Sequence, residues 1–326
     1  MRKEESEAMQ NYLFVHFRET TTPDGEQVYF SLSRDAFTWE SLNGGRPVLW
    51  AYYGDHGVRD MTVVRDVERG RFHIFATDLS LAYGMRGRYA HSWKKITTEG
   101  SKSLAHWCSE DLVHWTEEEL LPIGDASFGC VWAPDVLRDS RSGEYILHWS
   151  SPCPEREGQP MGIWYSRTAD FETWTKPELL YSREGAGVID SAMYEEDGRF
   201  YLFVKSDRNP ERVILLSADR PTGPFTRVEA FDDAMRNVAE GKYEAPTAVR
   251  LEDGRWCLFL DFFGAKASGQ GYVPFVASSL ARADFVRSDR AFSFPFGFKH
   301  GTILPISGEE YERMKARDWT DIPDGR

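Results

Sequence analysis

The segment Gly187–Lys205 reads GVIDSAMYEEDGRFYLFVK and decides the fold. An apolar pair leads into Asp190, small residues follow, and an acidic turn at 195–198 precedes an alternating strand at 199–204. Two such runs joined by a short turn predict a pair of antiparallel strands. Asp190 lies at the start of the first strand among apolar neighbours. A carboxylate there costs free energy unless it has a partner or a chemical role.

The same unit recurs along the chain. Strand pairs of this kind are predicted at 58–77, 130–150 and 243–260. Each pair is followed by a phrase in which a strand ends in Ser or Cys-Ser, an aspartate-containing turn follows, and an aromatic residue opens the next strand. From the second phrase onward they recur every fifty to sixty residues or so, which is typical of the blades of a β-propeller. They lie at Ser33–Trp39, Cys108–Trp115, Ser166–Trp174, Ser217–Phe225 and Ser278–Phe285.

A fifth blade is split between the two ends of the chain. The N-terminal meander at 12–42 has its phrase but no inner strand before it, and His300–Ile306 supplies a strand at the other end. Pairing of the two would close the ring and remove exposed sheet edges. The sequence therefore predicts an all-β, five-bladed propeller as one domain at 11–307. Residues 1–10 are predicted to be disordered or frayed, and 308–326 to form a short helix and tail.

Composition restricts the partners. The 326 residues carry 52 acidic and 39 basic side chains, a net charge of −13, which argues against nucleic acid or an anionic membrane. The 11 tryptophans suit sugar stacking as well as β-cores. The four cysteines form no CxxC pair and are predicted to be buried free thiols. The start, MRKEESEAMQ, has no apolar signal-peptide core, so a cytoplasmic location is expected.

Three acidic residues stand at the starts of predicted innermost strands, namely Asp60, Asp190 and Glu244. Innermost strands of a propeller line its axis, so we expect these carboxylates, in equivalent register, to meet in one funnel. Two carboxyl groups facing each other across a pocket can cleave a glycosidic bond. One donates a proton to the leaving oxygen while the other activates a water, and a third acid can raise the pKa of the donor.

Five short motifs in this order resemble glycoside hydrolase family 43, whose members are five-bladed propeller hydrolases of arabinose- and xylose-containing polysaccharides. The resemblance covers the chain from about Tyr12 to Ile306. The motifs are VRDM at 58–61, WAPDV at 132–136, IDS at 189–191, YEAP at 243–246 and KHG at 299–301.

The resemblance implies a role for each catalytic position. Asp60 would be the general base, Glu244 the general acid, and Asp190 the residue that orients the acid and tunes its pKa. His300 would lie on the central axis, bound to a water or to a Ca²⁺ ion, with no cofactor required for the chemistry. The chain departs from the family pattern at Met61, where a proline is usual, and at Ala245, where a glycine is usual.

Further residues are expected around the site. Trp132 is predicted to be a sugar platform, and Trp93 and Lys299 are predicted substrate contacts. Trp93 belongs to a long insertion at 79–103, whose Gly, Arg and aromatic content indicates a pocket wall. Asp135 of the WAPDV motif is a rival acid, which we assign to a structural turn.

The resulting hypothesis is an inverting, exo-acting α-L-arabinofuranosidase that acts on oligosaccharides derived from plant polysaccharides. A β-xylosidase or a β-D-galactofuranosidase of the same fold stays open. Two other functional classes are alternatives: a sugar-binding propeller without catalysis and an interaction scaffold. The first predicts loss of one of the three acids, and the second predicts a broad exposed face rather than convergent carboxylates.

Overall fold

The computed structural model has five four-stranded antiparallel sheets arranged as the blades of a propeller. It describes residues 11–18, 22–124, 126–152, 161–236, 238, 242–263, 271–289, 292–294 and 297–322. The predictions for residues 1–10, for Cys153 and for 323–326 lie outside these ranges. Cys108, Cys130 and Cys257 are free thiols; Cys130 and Cys257 are buried as predicted, whereas Cys108, near the end of an outer strand, is only half-buried. Over the described part, no helix has the length and apolar character needed to cross a bilayer.

The strands follow one another from the axis outward in four of the blades. The chain begins with three strands of the split blade, β1 (Asn11–Arg18), β2 (Tyr29–Ser33) and β3 (Glu40–Ser41). Blade 1 comprises β4 (Val58–Asp66), β5 (Arg71–Asp78), β6 (Ser103–Ser109) and β7 (Glu119–Pro122). Blade 2 comprises β8 (Trp132–Arg138), β9 (Tyr145–Ser151), β10 (Gly162–Thr168) and β11 (Glu178–Tyr181). Blade 3 comprises β12 (Val188–Glu196), β13 (Arg199–Ser206), β14 (Arg212–Ala218) and β15 (Thr226–Arg227). Blade 4 comprises β16 (Lys242–Arg250), β17 (Trp256–Phe263), β18 (Gly271–Ala277) and β19 (Val286–Arg287).

The last strand, β20 (Phe298–Ile306), completes blade 5 in the order β20-β1-β2-β3. Leu13 pairs with Leu304 and Phe14 with Ile303, so the two ends of the chain are joined by a regular ladder. The predicted closure of the ring is confirmed. Among the described residues, four short α-helices lie outside the sheets: α1 (Leu81–Gly84), α2 (Trp93–Glu99), α3 (Glu229–Met235) and α4 (Gly308–Ala316). Single 3-10 turns lie at Asn43–Gly45 and Trp319–Asp321.

The recurring aspartate phrase is explained by its turn. The Asp35 carboxylate accepts the backbone N–H groups of Phe37 and Thr38, each at 2.7 Å, and so closes the connection from the third to the fourth strand. Asp111 and Asp170 accept two N–H groups in the same way in blades 1 and 2. Aspartate is favoured in such turns because its carboxylate accepts N–H groups that would otherwise have no backbone acceptor.

Apolar side chains fill the space between neighbouring blades. Phe200 and Phe203 of β13 are both fully buried, Phe200 against blade 2 and Phe203 against blade 4. Their strand is buried on both faces, which is why its sequence is a nearly continuous apolar run. Each such ring contributes about 2–3 kcal/mol by leaving water.

The C-terminal helix α4 is attached to blade 1. It begins with a capping box in which Ser307 and Glu310 each bind the other's backbone N–H. Glu310 also accepts two hydrogen bonds from Arg65 of β4, at 2.7 and 2.9 Å. Met314 and Trp319 are buried against blades 1 and 5, so the helix covers the seam at which the ring closes.

Candidate active site

Each innermost strand carries a β-bulge at the same place, near the end at which it enters the sheet. In blade 1, Arg59 pairs with Thr77 and Thr62 with Phe75, which leaves one extra residue on the inner strand. All five blades repeat this offset. Bulges re-aim side chains and are frequent beside active sites. In four blades, the first inner-strand residue of the bulge has a left-handed backbone. The φ angles are 50° at Asp60, 48° at Ala133, 52° at Asp190 and 53° at Ala245.

The prediction that the three acids share one register is wrong, because Glu244 has a different position relative to the bulge of its strand. Asp60 and Asp190 occupy equivalent bulge positions. Glu244 lies one residue earlier, at the position that Arg59 holds in blade 1, because Glu244 itself pairs with Asp261. An extra residue in a strand shifts the side chain that follows it to a different direction. The three carboxyl groups therefore approach the axis from two different register positions.

In blades 1 to 4, the second strand contacts the innermost strand of the next blade at or beside its bulge. On each of these second strands, the contact is made by the side chain of the residue that pairs with the last inner-strand residue before the bulge. Thr77 accepts the Ala133 N–H at 2.8 Å and Ser150 accepts the Asp190 N–H at 3.1 Å. Lys205 contacts Glu244 and Asp261 accepts from Lys299, in the same relation one blade further on. Sequence reasoning missed all four, although each is a polar residue near the end of an otherwise apolar strand.

Asp60 and His300 form a charged pair on the axis. Nδ1 of His300 lies 3.1 Å from Oδ1 of Asp60, and the Thr77 hydroxyl donates to Oδ2 at 3.2 Å. Burial works against the charge of His300, but Asp60 first, and then Asp190 and Glu244, raise the pKa of His300 to about 9. Burial likewise works against the charge of Asp60, yet His300 holds the pKa of this carboxyl below its usual value. Asp60 is thus an ionised carboxylate, as a general base must be.

Asp190 has the opposite character. Burial raises the pKa of Asp190 to about 6, and the carboxylates of Glu244 and Asp60 add to the rise against the opposing charge of His300. Oδ2 of Asp190 accepts the Ala245 N–H at 3.3 Å. Asp190 therefore holds the backbone directly after Glu244, and its awkward place in an apolar strand is explained by contacts across to the next blade.

Glu244 meets a cation. Its Oε2 lies 2.5 Å from Nζ of Lys205, and this ammonium group also lies 4.6 Å from the ring centroid of Phe263. The Glu244 side chain is 26% exposed, the largest exposure among the three acids and His300. Glu244 is therefore the most accessible of these groups, and its Oε2 is paired with Lys205.

Asp135 lies after the bulge of the innermost strand of blade 2, and its hydrogen bonds connect this blade to blades 1 and 3. Its Oδ1 accepts from the Thr62 hydroxyl at 2.9 Å and its Oδ2 from the Met193 N–H at 3.2 Å. The residue lies within strand β8 rather than in the expected turn. Burial raises the pKa of Asp135 to about 6. Both oxygens are used in holding neighbouring strands, which gives this carboxyl a structural position.

The predicted substrate contacts lie in different surroundings. Lys299 is buried and donates to Asp261 at 2.8 Å, so its observed contact is internal. Trp132 is half-buried against the insertion, beside the cluster of Leu79, Tyr89 and Ile96. Trp93 begins helix α2 and is 56% exposed. Contact of these three side chains with a substrate stays a prediction.

The surroundings of His300 do not fit a metal ion. Asp60 occupies its Nδ1, and a pKa of about 9 keeps the ring protonated at neutral pH. The Nδ1 atom of His300 is thus engaged in an ion pair with Asp60 and does not face a cation. Within the described ranges, no three His, Cys, Asp or Glu side chains gather at a spacing that could hold a metal.

Comparisons with known proteins agree with the propeller fold. The model of a family related to glycoside hydrolase family 43, described as a probable glycosyl hydrolase domain, matches residues 7–312. An α-L-arabinofuranosidase of Bifidobacterium longum subsp. longum is 25% identical over 213 residues, which are 60% of this chain and 20% of that protein. The chain thus matches about a fifth of this relative's length.

Two solved structures show the shared fold. An endo-1,4-β-xylanase of Bacteroides thetaiotaomicron has a TM-score of 0.58 at 14% identity, with 91% of this chain and 97% of that one covered. An endo-arabinase of the same organism has a TM-score of 0.54 at 13% identity, with coverages of 84% and 90%.

Proposed function

The chain belongs to the family of probable glycosyl hydrolases related to glycoside hydrolase family 43, and from this membership we propose that it is an inverting, exo-acting α-L-arabinofuranosidase. The similarity to the Bifidobacterium enzyme supports arabinofuranose as the sugar released. The observation that carries the proposal is the convergence of Asp60, Asp190 and Glu244 around one protonated His300.

Each acid has a role that its contacts support. Glu244, the most exposed of the three, donates its proton to the glycosidic oxygen as the bond from that oxygen to the anomeric carbon breaks. Asp60 takes a proton from the water that attacks the same carbon from the opposite face. His300 and Thr77 fix the two oxygens of Asp60. Asp190 is a positioning residue, since it binds the backbone beside Glu244.

A screen of three chromogenic substrates tests the proposal. The 4-nitrophenyl glycosides of α-L-arabinofuranose, β-D-xylose and β-D-galactofuranose are compared, and the first is expected to be turned over fastest. On an arabino-oligosaccharide, whose alcohol leaving group needs a proton, Glu244→Gln should lower kcat by about 10²–10⁴, the usual contribution of a general acid. Glu172→Gln is the control, because this exposed glutamate lies at the opposite face of the propeller.

Two results would contradict the proposal. Turnover of an arabino-oligosaccharide that survives Glu244→Gln excludes that residue as the acid, and proton NMR showing that the first-formed sugar retains its anomeric configuration excludes direct attack by water. Faster turnover of the xyloside or the galactofuranoside would transfer the assignment to that sugar.

A further inference from the structure

The exposed aromatic side chains are gathered beside blade 1, on the propeller face that carries Asp60. In the described part of the chain, four large aromatic residues are exposed, and all belong to the loop before β4 or to the insertion after β5. Both segments leave blade 1 at the end that carries Asp60. Single exposed aromatic residues are ordinary, but a cluster on one face indicates a binding surface. The four are Tyr52 (46%), Tyr53 (52%), Tyr83 (49%) and Trp93 (56%).

Two of them line a cleft that the catalytic residues do not share. This cleft has a volume of about 470 Å³. Aromatic rings form much of its wall, and the exposed side chains of Asp24 and His56 lie among them. We call it the aromatic cleft and define it by Asp24, Gln27, Trp50, Tyr52, His56 and Tyr83.

The loop that carries these rings is held in place by its backbone. Gln27 accepts the Ala51 N–H at 2.7 Å and donates to the His56 carbonyl at 3.2 Å. Glu118, which is 6% exposed, accepts the N–H groups of Tyr52 and Tyr53. Surfaces that are ordered before binding lose less entropy when a ligand arrives.

The cleft is also linked to the catalytic bulge. The buried carboxylate of Glu26 binds Arg59, the neighbour of Asp60, at 2.9 Å. The same carboxylate accepts from the Ser80 hydroxyl at 2.7 Å and from the Leu81 N–H at 2.8 Å, at the start of the helix that carries Tyr83. One side chain thus fixes the cleft wall relative to the base.

We propose that the aromatic cleft binds neutral sugar units of the polysaccharide chain away from the bond that is cleaved. The faces of Trp50, Tyr52 and Tyr83 suit the apolar C–H faces of pyranose or furanose rings. Asp24 and His56 offer acceptors and donors to sugar hydroxyls. The net charge of −13 and the carboxylate of Asp24 select against acidic sugars. This inference rests on the proposed function, since it gives the same substrate a second point of contact.

Affinity gel electrophoresis tests the cleft independently of turnover. The protein carries Asp60→Asn to stop hydrolysis and migrates through gels that contain wheat arabinoxylan, linear arabinan or polygalacturonate. Retardation is expected in at least one neutral polymer and not in polygalacturonate. Tyr52→Ala and Tyr83→Ala should each weaken the association constant about five- to tenfold, the effect of one lost aromatic contact.

Two further variants make the test specific. Tyr53→Ala removes an equally exposed ring from the same loop but outside the cleft and should retain binding, and Tyr52→Phe keeps the ring and should restore it. The proposal is overturned if neither neutral polymer retards the protein, if both cleft variants bind normally, or if Tyr53→Ala loses as much. Retardation by a protein that hydrolyses none of the three chromogenic glycosides would refute the proposed function and leave the cleft standing.

Discussion

Replacement of His300 by glutamine should remove an alkaline loss of folding stability. In the folded protein His300 keeps its proton up to a pKa of about 9, whereas an unperturbed histidine loses it near 6.5. The folded state therefore binds an extra proton between these pH values. The stabilisation is complete below pH 6.5 and is lost as the pH rises through 9.

The size of the effect follows from the same two values. A rise of the pKa from 6.5 to about 9 corresponds to about 3 kcal/mol of stabilisation at low pH. His300 is 14% exposed and Asp60 is 19% exposed, so solvent screens the pair little. The lowered pKa of Asp60 reflects the same contact and is not added a second time.

Urea unfolding at several pH values between 6 and 10 measures this. The free energy of unfolding of the wild-type protein should fall by about 3 kcal/mol more than that of His300→Gln across the range. His114→Gln is the matched control, because His114 lies 2.8 Å from Asp111 but is 76% exposed, where such pairs are worth little. Parallel pH profiles for the wild-type protein and His300→Gln would refute the charged pair.

Two further predictions concern the structural role of Asp135 and the effect of removing metal ions. Asp135→Ala should lower the free energy of unfolding by about 2–4 kcal/mol in urea titrations, because the Thr62 hydroxyl and the Met193 N–H both lose their buried acceptor; a change below 1 kcal/mol would show that these groups find other partners. Addition of EDTA should leave glycoside turnover unchanged, since the residues around His300 do not fit a cation; a loss that Ca²⁺ alone restores would contradict this.

Local chemistry made much of the fold readable from the sequence. The aspartate of each phrase closes a turn with its own side chain, so Asp35, Asp111 and Asp170 mark three blades without reference to distant residues. Strands buried on both faces are apolar throughout, and their turns are short. The split blade followed from counting, because the N-terminal meander lacked an inner strand and residues 300–306 lacked a partner.

The candidate site was predicted only in part, for a physical reason. Asp190 stood out because a carboxylate among apolar residues needs an explanation. The bulges did not, since one added residue leaves the apolar pattern of a strand almost unchanged. They placed Glu244 one position away from the register of Asp60 and Asp190.

The sequence alone determined the number of blades and the closure of the ring, and it predicted which three acids belong to the site. Tertiary structure decided what each acid touches. Lys205, the last residue of the segment that opened the sequence analysis, contacts Glu244 of the next blade, and Asp190 of the same segment binds the Ala245 N–H. Such contacts depend on how one blade is rotated against its neighbour, and no local pattern of residues records that rotation.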